Sequence, residues 1–492
     1  MVPPRHGRCV ARARLPGERP RSTAAGPRRP TPGEGGDVVS AVPRTLLRAL
    51  ADAVGPGHVL TDPDAAAPYT VDWTRRFGGP AAAVVRPAAT AEVVAVVTAC
   101  AAAGFPIVVQ GGNTGLVGGG VPPAAAAGPA PVVLATTRLT EIGEVDPLSG
   151  QVAVGAGVTL ATLHQHARDA GWSYGVDLAA RDTATVGGTV ATNAGGVRVC
   201  AYGMTRAQVT GLAAVLADGS TVTHLAGLAK DNTGYDLTGL LVGSEGTLGI
   251  VTTVRLRLHR PAGPSTVALI GASSYDEAQQ LLAGCVRPGV RLLAAEIVDE
   301  VGLELVLRTA GLPRPLAARH RLLLLVEVAD GATADGLELP DDVDAVVATD
   351  AADRLRLWAY RERQSEAFST LGVVHKLDVS IPLASVPDCT AAIAERVQAT
   401  TAVTTYGVFG HLADGNLHLE VVGPAPDDDE IDRAVFGIVT AYGGSISAEH
   451  GIGRAKAAYL SMTRTPQEIS AMRAIKTALD PAGLFNPGVL LA

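Results

Sequence analysis

Two histidines, His411 and His418, flank the turn Asp414-Gly415, and a third, His450, directly follows Glu449. Imidazole and carboxylate are ligands of divalent metal ions, and two imidazoles with one carboxylate leave coordination positions open for a substrate. Residues 403–411 and 417–422 read as two strands of a hairpin, which lets both imidazoles converge. A carboxylate from Glu449 would complete a site of His411, His418 and Glu449 suited to Zn²⁺ or another divalent ion. The same spacing also fits two surface histidines beside a turn. His450 reads either as a general base that takes the proton of a metal-bound hydroxyl or as a group that orients a ligand.

A second set is cationic. Arg361 and Ser365 lie one turn apart in the helical pattern of residues 355–371, and Lys376 lies on the strand pattern of residues 373–381. On that strand Lys376 and Asp378 share a face, opposite His375, Leu377 and Val379. A guanidinium at Arg361 can grip a carboxylate through two parallel hydrogen bonds. The run Arg361-Glu362-Arg363 fits an exposed helical charge run equally well. Lysine occurs at only four positions, 230, 376, 456 and 476, which singles out Lys376. Glu420 lies two residues beyond His418 and so shares its face.

Such groups need a scaffold, and the glycines mark it. After the apolar strand 107–109 comes Gln110-Gly111-Gly112-Asn113-Thr114-Gly115-Leu116, running on to three further glycines at 118–120. With so few side chains, the backbone can turn sharply and present successive N–H groups to an anion. A second cluster holds Thr183, Thr185, Gly187, Gly188, Thr192, Asn193, Gly195 and Gly196. A third loop, residues 243–249, ends in Gly249 and Ile250. Neither the dinucleotide fingerprint nor a phosphate loop is present. Three exposed-backbone loops, each beside a strand, suit a long ligand with a pyrophosphate.

The stretches 110–120, 186–196 and 230–253 resemble the flavin domain of the vanillyl-alcohol oxidase type, and more closely the FAD-dependent D-2-hydroxyacid dehydrogenases, above all those acting on D-2-hydroxyglutarate. The segments Gln-Gly-Gly-Asn-Thr-Gly, Ala-Thr-Asn-Ala-Gly-Gly and Lys-Asp-Asn-Thr-Gly-Tyr-Asp-Leu carry the likeness, which runs from about Asp72 to the C-terminus. It implies an α+β fold: a two-part FAD-binding domain, then an α+β substrate domain with an antiparallel sheet and C-terminal helices. It implies FAD on the three loops, with Asn486 and Ile250 among its contacts. Neither glycine cluster contains histidine, so FAD is expected to be noncovalent. The likeness maps the family's metal ligands onto His411, His418 and Glu449, and its substrate positions onto Arg361, Ser365, Lys376 and Glu420. His450, Arg361 and Lys376 are the expected catalytic groups. Two positions depart from the hydroxyglutarate enzymes: Ser365 replaces threonine, and Glu420 replaces asparagine. A carboxylate at 420 is expected to repel a substrate carboxylate unless it is protonated or metal-bound. That points to hydroxyacids other than D-2-hydroxyglutarate.

Composition bounds the rest. The 492 residues are too many for one core, and 47% are apolar. The expected division is a tail at 1–42, a flavin domain at 43–262 and a substrate and metal domain at 263–492, parted by Pro261-Ala-Gly-Pro264. The tail is rich in Pro, Gly and Arg and lacks apolar periodicity, so disorder is expected. A net charge of −8 argues against nucleic acid as a partner. The five scattered cysteines show no Cys-x-x-Cys and fit a reducing, cytoplasmic setting. The apolar run 93–109 is broken by Gly104 and Pro106, so no membrane span is expected. Expected partners are the small hydroxyacid, an electron-transfer protein or quinone, and a second copy of the chain. The alternatives are an oxidase of the D-lactate or glycolate type, a flavin subunit of a larger complex, and a metal-dependent hydrolase.

Overall fold

The computed structural model describes residues 42–125, 128–329 and 336–491. The arginine-rich stretch expected to form a disordered tail lies outside the described residues. Short apolar runs bounded by Pro and Gly make buried strands. Ala83–Val85, Val132–Ala135 and Ile107–Gln110 pair in parallel, with Val59–Leu60 antiparallel at the edge. Every residue of Ala83–Val85 and Val132–Ala135 is buried, as strands covered on both faces require. The helix Thr90–Ala103 connects them and ends at Gly104 in the left-handed conformation. Its N-cap is Ala89. The Thr90 hydroxyl donates to Thr252 at 3.0 Å, and the Glu92 carboxylate accepts from the amide of Ala88 at 2.7 Å.

A second sheet of four antiparallel strands follows in the order Gln151–Gly155, Ile250–Arg257, Val209–Val215, Thr221–His224. Thr159 caps the helix Leu160–Asp169, which buries Leu160, Leu163 and Ala167 as its spacing requires. One hydrophobic core joins both sheets and takes in Leu484 and Phe485 from the far end of the chain.

The third sheet has seven strands, all antiparallel, in the order Ala345–Ala348, Ser265–Ala272, Leu322–Ala329, Leu292–Asp299, Thr405–His411, Asn416–Val422, Val374–Ser380. Alternation divides its side chains between two faces. Ile297, Leu377, Val379, Val408, Leu417, Leu419 and Val421 pack against the helices Tyr275–Cys285, Val386–Gln398 and Glu430–Ala441. The other face packs Val298, Leu323, Leu325 and Phe409 against Glu300–Ala310 and Ala351–Glu362. The register decides what shares that second face. Glu296 pairs with His411, Phe409 with His418, Asp378 with His418, and Lys376 with Glu420. A polar patch of six ionisable side chains is thereby built into one end of a face that is otherwise mainly apolar, Glu327 beside Trp358 being the exception.

One helical expectation is corrected. The pattern at 355–371 is two helices, Ala351–Glu362 and Gln364–Ser369, broken at Arg363. No proline or glycine marks the break, so nothing local signals it. The final helix Pro466–Leu479 has a capping box on Thr465 and Glu468 and stops at Asp480. Its stripe of Ile469, Met472, Ile475 and Leu479 is not buried, however: Ile475 is exposed and the other three are half-buried. No helix among the described residues is long and apolar enough to cross a membrane.

Candidate active site

A cavity of about 330 Å³ lies where the glycine loops meet the polar end of the seven-stranded sheet. Gln110, Gly111, Gly112, Asn113, Thr114, Gly115 and Leu116 line it, with Thr185, Gly187, Gly188, Thr192, Gly196, Gly249 and Asn486. Arg361, Ser365, Lys376, His411, His418, Glu420, Glu449 and His450 line the same space. Four expected cofactor contacts do not. Thr183 sets its carbonyl against Gly112, and Gly195 lies beside the Glu449 carboxylate. Ile250 is wholly inside the core. Asn193 caps the short helix Val186–Thr192 at φ 51°, and its Oδ1 accepts from the amide of Arg206 at 2.9 Å.

The first loop is braced by its own side chains. Gln110 Nε2 donates to the carbonyls of Tyr69 at 3.0 Å and Gly120 at 2.8 Å. Asn113, in the left-handed region at φ 54°, donates to Pro68 and Val71 at 3.1 and 2.9 Å. These amides therefore hold the loop and leave its backbone to a ligand. A Cβ on Gly112 would overlap the carbonyl of Thr183, so only glycine permits the two loops to approach this closely. Arg454 Nη1 donates to Gly118 at 2.6 Å and also to Val121, and Nη2 reaches Pro487 at 3.2 Å. Asn486 closes the far side, accepting from the Val109 amide at 2.8 Å and donating to the Glu245 carbonyl at 2.6 Å. The cradle is thus narrow, rich in backbone donors and rigidly held, which fits a dinucleotide.

The polar end is organised by two carboxylates that motif reading did not assign. Glu296 is buried between His411 and Arg361. Its Oε1 lies 2.7 Å from His411 Nδ1, and its Oε2 accepts from Arg361 Nε at 2.6 Å. A carboxylate flanked by these donors carries no proton, so Nδ1 must donate and His411 Nε2 is the atom turned to the cavity. Burial pushes Glu296 up, but the charges of His411 and Arg361 outweigh it and hold the carboxyl below its usual range. Asp378 is the second. Its Oδ2 accepts from the amides of Ala448, Glu449 and His450 at 3.0, 3.0 and 2.9 Å. Its Oδ1 accepts from Asn416 Nδ2 at 2.8 Å, and Lys456 Nζ lies 3.8 Å from Oδ2. Burial opposes ionisation, yet His450, Lys456 and His418 keep the group well below the carboxylate range. A charged residue in the middle of the strand Leu292–Asp299, otherwise apolar up to its terminal Asp299, was the one available signal for Glu296.

These anchors bring the expected ligands together. His411 Nε2 and His418 Nε2 lie 3.4 Å apart. Glu449 Oε1 lies 3.5 Å from His418 Nε2 and 3.8 Å from each of His411 Nε2 and His450 Nε2. The other oxygen, Glu449 Oε2, accepts from the backbone amide of Gly196 at 2.6 Å, so a flavin-side loop orients it. Asp378, His418, Glu449 and His450 also form a compact group, with ligand atoms within 4.8 Å. Asp378 is the weakest member of that set, because five hydrogen-bond donors, Ser447 Oγ at 3.5 Å among them, already occupy its oxygens. Burial alone would raise Glu449, but the neighbouring histidines bring it down to about 2. Burial would lower His411, but Glu296 and then Glu449 raise it to about 10. For His418 burial wins and drives the ring well below its ordinary value. The His450 ring stacks on His418 with centroids 5.2 Å apart, and its Nδ1 is buried without a hydrogen-bond partner.

Both expected substrate cations already have protein partners. Arg361 is bound to Glu296 through Nε, and its guanidinium lies over the Phe409 ring at 4.7 Å. Lys376 Nζ donates to both oxygens of Glu420, at 2.9 and 2.8 Å, and Ser365 Oγ donates to Oε1 at 3.3 Å. Glu420, expected to repel a substrate carboxylate, is thus itself matched by a cation, because the register sets Lys376 directly opposite.

The chain is similar in sequence and fold to known proteins. Residues 81–224 match the model of an FAD binding domain, and residues 263–490 that of the C-terminal domain of FAD linked oxidases. The mitochondrial D-2-hydroxyglutarate dehydrogenase of Bos taurus is 36% identical over 472 residues, covering 92% of this chain and 84% of that protein. The D-2-hydroxyglutarate dehydrogenase of Stutzerimonas stutzeri is 34% identical over 469 residues, covering 91% and 99%. Among solved structures, 4-ethylphenol oxidase from Gulosibacter chungangensis superposes with a TM-score of 0.68 at 18% identity, covering 91% of this chain and 96% of that one. p-Cresol methylhydroxylase gives a TM-score of 0.69 at 18% identity, covering 90% and 95%, so the α+β fold is of the vanillyl-alcohol oxidase type. The chain belongs to the FAD-linked oxidase family that contains the D-2-hydroxyglutarate dehydrogenases.

Proposed function

We propose that this protein oxidises a D-2-hydroxyacid to the 2-oxoacid, with noncovalent FAD as the first electron acceptor and an electron-transfer protein or quinone as the next. The observation that carries this reading is the meeting of the His411, His418 and Glu449 cluster with the glycine loops in one cavity, joined by the hydrogen bond from Gly196 to Glu449. FAD, when bound, supplies a two-electron acceptor for the hydride on the substrate's C2. A divalent ion such as Zn²⁺, held by His411, His418 and Glu449, supplies Lewis acidity at the substrate hydroxyl. Arg361, fixed through Nε to Glu296, offers its Nη groups to the substrate carboxylate. His450 takes the hydroxyl proton. Its Nε2 is near the cluster, and its buried Nδ1 makes no hydrogen bond, with Asp378 Oδ2 3.9 Å away. Asp378 holds the backbone of 448–450 and so sets where both Glu449 and His450 stand. We further divide the chain near residues 261–264 into a flavin domain and a substrate domain, a division supported by their separate hydrophobic cores.

A panel of D- and L-2-hydroxyacids with an artificial electron acceptor tests the reading. Turnover of D-acids alone is expected, and purified protein without flavin absorbance would instead favour a metal-dependent hydrolase. No histidine stands in either glycine cluster, so acid precipitation should release the yellow chromophore into the supernatant. Colour retained on the pellet would contradict noncovalent binding.

A further inference from the structure

At the polar end of the cavity, beside the His411, His418 and Glu449 cluster, the charged side chains are paired, and the pairing limits which substrate this end suits. Arg361 is matched by Glu296, Lys456 by Asp378 and Lys376 by Glu420. On the reading above, a divalent ion beside the single carboxylate of Glu449 leaves one net positive charge. That is enough for one substrate carboxylate and not for two. From this geometry we infer that the Lys376–Glu420 pair excludes a second carboxylate, so that the substrate is a monocarboxylic D-2-hydroxyacid with an uncharged tail. The inference rests on hydroxyacid oxidation being the reaction.

The pair is built to persist. Lys376 and Glu420 face each other across adjacent strands, both are buried, and Nζ bonds both carboxylate oxygens. Ser365 adds a third donor to Glu420, and the Trp73 ring lies 5.3 Å from Nζ. A second substrate carboxylate has two courses. It can draw Lys376 away, leaving a buried Glu420 with only the Ser365 hydroxyl, or it can share Lys376 with Glu420, placing two anions on one cation. Either course is disfavoured where water is excluded. An uncharged tail disturbs nothing. Glu420 therefore acts by occupying the lysine, and removing its charge should turn Lys376 into a receptor for a second carboxylate.

The test compares kcat/KM for D-lactate and D-2-hydroxyglutarate, alongside calorimetric binding of pyruvate and 2-oxoglutarate, in the flavin-loaded enzyme. The wild type should favour D-lactate and bind pyruvate more tightly. Glu420→Gln should shift both ratios toward the dicarboxylate by about tenfold or more, the scale of one well-placed charge. Lys376→Met combined with Glu420→Gln should abolish that shift, because the gain requires the freed ammonium. The wild-type comparison decides the matter even if a variant fails to fold. A wild type that prefers D-2-hydroxyglutarate overturns the inference while leaving hydroxyacid oxidation intact. A shift that survives loss of Lys376 overturns the role given to the pair. Failure of both acids to reduce the flavin overturns the parent reading and this inference together.

Discussion

Replacing His418 by alanine should remove the metal and lower turnover at least about a hundredfold, the loss expected when several kcal/mol of Lewis-acid stabilisation disappears. FAD should stay bound at full occupancy, because the ring lies outside the glycine loops that form the cradle. His411→Ala should give the same two losses. It is the less clean variant, since it also leaves Glu296 buried with Arg361 as its only strong partner. The nearest carboxylate oxygen of Asp378 is 3.7 Å from the His418 ring, so His418→Ala strands no comparable charge. Metal analysis beside the flavin spectrum checks the expectation. A His418→Ala protein with stoichiometric metal would remove this residue from the ligand set.

The second large effect belongs to Asp378, which touches neither the substrate position nor the flavin cradle. Asp378→Ala should cost about 3–5 kcal/mol of stability, the range for removing one partner of a buried pair. The reasons are local. Three consecutive amides of residues 448–450 lose their acceptor, and the buried ammonium of Lys456 loses its nearest anion. Asp378→Asn keeps an acceptor oxygen but not the charge, so it should fall between alanine and wild type. Both should bind metal more weakly, because Glu449 and His450 ride on the released loop. A melting curve of the flavin-loaded protein together with metal content decides this. Wild-type values of both for Asp378→Ala would show that the loop is held by something else.

Much of this site was legible in the sequence, because the residues that carry it sit in short motifs. The strand into residues 110–120 and the hairpin bearing His411 and His418 were legible as local patterns, and Glu449-His450 comes to the same cavity. Arg361, Lys376 and Glu420 were placed at the cavity on the strength of likeness. What could not be read was pairing across distance. Glu296 reaches His411 across 115 residues of sequence, and Asp378 reaches the 448–450 amides across 70 to 72. Both contacts follow from strand register and from where a loop lands, which no local pattern encodes. The same holds for Lys376 and Glu420: each was assigned a strand, yet their facing positions emerged only from the pairing of Val374–Ser380 with Asn416–Val422. The half-exposed apolar stripe of Pro466–Leu479 shows the converse limit. Apolar spacing gives the face of a helix, not whether anything covers it.

The central claim is that a D-2-hydroxyacid delivers a hydride to FAD in this cavity, and anaerobic mixing tests it without reference to the physiological acceptor. Flavin-loaded protein mixed with a panel of D-2-hydroxyacids should lose its visible flavin absorbance and yield the 2-oxoacid in equal amount. Deuterium at C2 should slow the loss, and the L-enantiomers should leave the spectrum unchanged. A yellow protein whose absorbance no D-2-hydroxyacid diminishes, with metal present, would contradict the account.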